Sequence, residues 1–205
     1  MNNKIERRYD INLHQNPDEV DVKGLIEGRP IVFNSRTNLG LFDEVIEASA
    51  LNECEMKDVR LCLNHDTSFV YARSRNNNEN STMRLMLDAN GLTFRATLDV
   101  ENSPRAKDLY SAITRGDIDQ MSFMFVVDED RWENLESEHP CRHITKIGKI
   151  FEVSCVPFPA YEDTSVYARD CAKALENARA VLENAKSKAR EEEVRKLEMK
   201  LKLLG

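Results

Sequence analysis

The sequence has no run approaching the ~18 consecutive apolar residues that a membrane span requires. Residues 1–10 are polar and charged, with no apolar stretch of the kind that directs export. The expectation is a protein made and kept in a cytoplasm-like compartment, with no membrane partner. Cysteine is sparse: Cys54, Cys62, Cys141, Cys155 and Cys171 are odd in number and show no CxxC spacing. This excludes a disulfide framework and reads as free thiols. A basic surface is also lacking. The net charge is −7, and residues 1–168 carry a balance of −10. Nucleic-acid binding depends on neutralising phosphates, so an acidic body argues against that partner.

What is present divides the chain of 205 residues in two. Up to about residue 160 it reads mainly as strands. Residues 25–33 form an apolar strand with a bulge or turn around Gly28 and Pro30. Residues 59–64 are a short apolar run, and residues 68–72 alternate weakly. Residues 83–87 and 92–98 flank Asn90-Gly91, a hairpin signal. Residues 76–80 are Asn-rich and aperiodic, which predicts a mobile tip. Residues 121–127 are apolar at nearly every position and predict a strand buried on both faces. Residues 144–156 predict a long strand broken near Gly148 and ending at Pro157-Phe158-Pro159.

One internal helix is well marked. Ser103 caps it, Pro104 suits its first turn, and Ala106, Leu109, Tyr110 and Ile113 share a face. Gly116 stops it. A weaker helix is expected over residues 42–48. Beyond Tyr167 the composition shifts. Residues 169–204 contain no Gly or Pro, and a narrow stripe runs through Leu175, Ala178, Leu182, Ala185 and Ala189, with Leu197, Leu201 and Leu204 continuing it approximately. This is a long solvated helix or a thin coiled coil.

Three residues in the strand-rich part could carry chemistry. His65 ends the apolar run Leu61-Cys62-Leu63-Asn64. A strand end is rigid behind and open ahead, which suits a general base, though an ordinary turn histidine fits the same position. Ser122 is a lone hydroxyl in Met121-Ser122-Phe123-Met124-Phe125, either a nucleophile on a stiff strand or a small core serine. Glu152 is a carboxylate in the apolar strand Ile150-Phe151-Glu152-Val153. Burying it unpaired costs several kcal/mol, so it needs a cation, either a structural Lys or Arg or an imidazolium. A His, a Ser and an acid on separate strands fit acyl transfer. Spacing alone leaves structural roles open for each. The remaining histidines offer less. His14 lies in a polar stretch. His139 and His143 bracket Cys141, but three ligands fall short of the usual four of a structural site, so neither metal nor cofactor is expected.

At these residues the sequence resembles the prohead maturation proteases of tailed phages, serine endopeptidases related in fold to the herpesvirus assembly protease. The resemblance spans residues 24–167. It is carried by Leu63-Asn64-His65-Asp66, Asn90-Gly91-Leu92, Ser103-Pro104, Met121-Ser122-Phe123 and Ile150-Phe151-Glu152-Val153-Ser154, running on to Pro159-Ala160-Tyr161. It implies Ser122 as nucleophile, His65 as base and Glu152 as the third member, with Asp66 as the competitor for that role. Met124 stands where many relatives have Gly, which would reshape the pocket beside the nucleophile.

The implied fold is α+β: a mainly antiparallel β-barrel flanked by helices, with a long C-terminal helix. The implied organisation is an N-terminal segment (1–23), a protease domain (24–167) and a helical tail (168–205). The implied biology is cleavage of scaffold or of a coat-protein extension inside the procapsid, in the host cytoplasm, with self-cleavage; a homodimer is also allowed. The tail is then an anchor for scaffold or coat helices, a segment lost by self-cleavage, or a solvated helix without partner. The competing class is a non-enzymatic scaffold using that tail.

Overall fold

A computed structural model describes residues 5–10, 23–157 and 168–204. In chain order its strands are β1 (Ile5–Asp10), β2 (Leu25–Val32), β3 (Arg36–Asn38), β4 (Asp43–Ile46), β5 (Asp58–Leu63), β6 (Ala72–Arg75), β7 (Met83–Asp88), β8 (Gly91–Thr97), β9 (Gln120–Glu133) and β10 (Cys141–Val156). Helix α1 (Pro104–Thr114) precedes β9, and α2 (Ala168–Leu204) closes the chain. The architecture is mixed α+β.

The antiparallel pair β9 and β10 is the spine. It runs from Cys141 opposite Glu133 to Val156 opposite Gln120, with register shifts on both sides of Gly148. At Gly148 the Asp128 carboxylate lies close over the backbone, 2.4 Å from where a Cβ would stand, so a larger residue there would displace that side chain. The other edge of β10 is shared. Its first residues take β4 in parallel and its last residues take β5 in parallel, with Glu55 bridging to Lys149 between them. β3 then pairs with β4, β6 with β5, and β1 with the free edge of β9. This gives one forked seven-stranded sheet; β2, β8 and β7 form a second sheet of three.

The expected barrel is therefore corrected: the two sheets are open. β10 spends its outer edge on two short strands, each with its own antiparallel neighbour, so the large sheet forks instead of curling to meet β1. β2 is in ladder with β8 and has none with β9. Its Gly28 allows close approach, since a Cβ there would be 2.7 Å from both Met121 Sδ and Phe94 Cε1. Met121, Phe123 and Phe125 of β9 pack here with Val153 of β10, Leu61 of β5, Phe94 of β8, and Ala106, Leu109 and Ile113 of α1.

Local expectations fare unevenly. α1 begins where Ser103 Oγ accepts the Ala106 N–H at 3.3 Å, and Gly116 follows it at φ +77°. The hairpin over residues 83–97 forms with Asp88 opposite Gly91. The helix expected over residues 42–48 is instead β4 followed by a short 3-10 helix, Ala48–Leu51. The open edge of β10 and burial of Val45 and Ile46 override a weak helical preference. The strand expected over residues 68–72 starts only at Ala72. In the tip over residues 76–80, the Asn77 side chain donates to Leu85 O at 2.7 Å and accepts from Leu85 N at 2.8 Å.

α2 is a single helix of 37 residues. Ala178, Val181 and Leu182 pack against Leu39, Leu41, Phe42 and Trp132. Val194, Leu197, Met199, Leu201 and Leu203, further along it, are exposed. No helix among the described residues is long and apolar enough to cross a membrane.

Candidate active site

β9, β10 and β5 lie side by side. Their ladders align Ser122 with Ser154 on one side and Ser154 with Cys62 on the other. Residues two apart on a strand share a face, so Glu152 falls on the same face as Ser154. All four are at most 1% exposed. Polar groups are thus concentrated on one stretch of sheet while the neighbouring positions Phe123 and Val153 feed the core.

β5 ends in an unusual turn. Asn64 and His65 both have left-handed backbones, φ +52° and +58°. Asparagine tolerates this; for histidine it stores strain of order 1 kcal/mol, which surrounding bonds must hold. Three such bonds are present: Asn64 N–H to Cys155 O at 3.1 Å, His65 N–H to Ser154 Oγ at 3.1 Å, and Asp66 N–H to Leu63 O at 3.0 Å. The reversal carries the imidazole over β10, where Nδ1 lies 2.7 Å from Glu152 Oε1. The Ser154 hydroxyl donates to the second oxygen, Oε2. With Nδ1 committed to a carboxylate, Nε2 is the ring nitrogen left for proton transfer.

Ser122 Oγ is fully buried and has no hydrogen-bond partner among the described residues. An unsatisfied buried hydroxyl costs about 1–3 kcal/mol, so its retention calls for a reason beyond packing. Asp66 points elsewhere: its Oδ1 accepts from Ser68 N at 2.9 Å and Ser68 Oγ at 2.5 Å, and the Ser68 hydroxyl holds this carboxyl below its usual range.

The geometry thus offers an imidazole with a carboxylate behind it and a lone buried hydroxyl one strand away. A family model, the caudovirus prohead serine protease, matches residues 11–178. The chain belongs to that family. It is a serine peptidase of phage heads and not the non-enzymatic scaffold that the helical tail alone would allow. Among solved structures, the bacteriophage T4 capsid assembly protease is similar at 12% identity and a TM-score of 0.46, covering 76% of this chain and 98% of that one. No curated protein matches.

Three further thiols of this prohead protease, those of Cys54, Cys62 and Cys155, are passive. Burial pushes the Cys54, Cys62 and Cys155 thiols up to about 12, so none supplies a thiolate at neutral pH. His139 leaves its neighbours to meet Asp43 at 2.9 Å. His143 lies 3.2 Å from Glu133 and 3.1 Å from the Arg131 guanidinium, and Cys141, His143 and Glu133 present potential ligand atoms within 4.8 Å. His14 and residues 158–161 lie outside the described residues. Ser154 was not singled out by sequence reasoning. Its only signal is the i, i+2 spacing from Glu152, which any polar pair on one face of a strand shows.

Proposed function

We propose that Ser122, His65 and Glu152 form the catalytic triad of this prohead protease. The observation that carries the reading is the 2.7 Å contact between His65 Nδ1 and Glu152 Oε1, both side chains being nearly buried. Glu152 fixes the tautomer of His65 and stabilises the imidazolium as it forms. His65 takes the Ser122 proton as Oγ attacks a peptide carbonyl, then returns it to the leaving amine. The acyl-enzyme is hydrolysed by water in the reverse sense. Asp66 is engaged by Ser68 and is set aside for this role.

The substrates are read as scaffold or a coat-protein extension, cut inside the procapsid in the host cytoplasm, with self-cleavage and a homodimer as parts of the same reading. Kinship with the herpesvirus assembly protease belongs to it as well, with open sheets in place of a barrel. The protease unit is residues 24–167, with residues 1–23 and 168–205 as appendages.

Coexpression of the chain with its coat protein, followed by mass spectrometry, tests this. The wild type should truncate the coat protein and itself. Ser122→Ala should leave both intact while remaining folded. Full processing by Ser122→Ala would sink the assignment.

A further inference from the structure

We infer that Ser154 is a positioning residue of the proteolytic site, acting through His65 and Glu152 and not on substrate. The inference rests on the triad reading and deepens it. The Ser154 hydroxyl makes two bonds with different members of the site: it accepts the His65 main-chain N–H at 3.1 Å and donates to Glu152 Oε2. The first holds the backbone of the base in its left-handed turn; the second fixes the rotation of the carboxylate whose other oxygen meets the ring. One hydroxyl therefore closes a loop of contacts from His65 main chain, through Ser154 and Glu152, back to the His65 imidazole. Ser154 is fully buried and stands in register with Ser122. The strand that carries the carboxylate thus also sets the lateral distance to the nucleophile.

Removal of a hydrogen bond to a charged group, with loss of the main-chain contact, should cost roughly 10- to 100-fold in reactivity. The test is a double-mutant cycle of Ser154→Ala, Glu152→Gln and the pair, read by the rate of labelling with a fluorophosphonate probe. Wild type and Ser122→Ala serve as controls. Ser154→Ala should label 10- to 100-fold more slowly than wild type, yet less than about threefold more slowly when Glu152 is already Gln, because the two act as one unit. A purely structural serine would give effects that multiply independently. The downfield proton resonance of His65 Nδ1–H, assigned by its loss in His65→Gln, gives a second readout and should shift or broaden in Ser154→Ala. Should Ser154→Ala fold poorly, Ser154→Cys retains the side-chain shape, slightly enlarged, with a weaker donor and reads the same cycle. Labelling and resonance both unchanged, or effects that multiply, would overturn the inference and leave the triad standing. Labelling that persists in Ser122→Ala would instead overturn the triad itself.

Discussion

At the scale of single residues the decisive choice is between two carboxylates. Asp66 adjoins His65 in sequence, but Glu152 meets its ring across the sheet. Glu152→Gln should lower kcat by roughly two to four orders of magnitude, as loss of the acid does in other serine triads. Asp66→Asn should change it by no more than a few-fold. Coat-protein cleavage rates of the two variants check this, and the reverse order would move the role to Asp66. His65, Ser122 and Glu152 each stood out in the sequence because a polar residue interrupts or ends an apolar run. That pattern marks candidates without saying that they meet. The contact of His65 with Glu152 depends on the parallel pairing of β5 with β10 and on the left-handed turn at Asn64 and His65. Neither has a local signal, since register between distant strands is a tertiary property.

At the scale of elements the small sheet depends on a backbone approach. Gly91 has φ +149°, and a Cβ there would lie 1.9 Å from Ile31 O. Gly91→Ala should therefore destabilise the fold by at least the roughly 1–3 kcal/mol of an overpacked core site, measured by urea denaturation. The same hairpin is tied to β2 by Asp88, which accepts from Arg29 Nη1 and Nη2 at 2.7 and 2.6 Å and caps the turn through the Asn90 and Gly91 N–H groups. The Arg29 bond holds the Asp88 carboxyl far below its ordinary range. A depressed folded-state value means stabilisation present above the unfolded value and lost as pH falls through the folded one. Asp88→Asn should thus lower the melting temperature at pH 7. The gap to wild type should narrow below pH 4 and close only in strong acid, as thermal melts across pH would show. The hairpin, α1 and the apolar parts of β9 and β10 are legible because turn residues, caps and apolar runs are local; the pairing of β9 with β10 and their extension to Glu133 and Cys141 are not. β4 is not, because the edge that recruits it lies almost 100 residues further along the chain.

At the scale of the whole molecule α2 is one helix with two parts. Ala178, Val181 and Leu182 close over Phe42 and Trp132, whose rings meet edge-on at 4.9 Å. Val194, Leu197 and Leu201 are more than half exposed. A chain ending after Lys188 should keep the melting temperature within a degree or two. Ala178→Asp should lower it and red-shift the emission of Trp132, the single tryptophan. Equal effects of the two changes would show that the outer part is needed for the fold.

The burial of the Ser122 hydroxyl carries a consequence for timing. A reagent reaches an enclosed group only during openings, so reactivity becomes a gated process with its own clock. Labelling of Ser122 should rise with probe concentration and then level off at the opening rate. The plateau is then a property of the fold and not of the probe, and a rate that climbs without levelling off would show an open site instead.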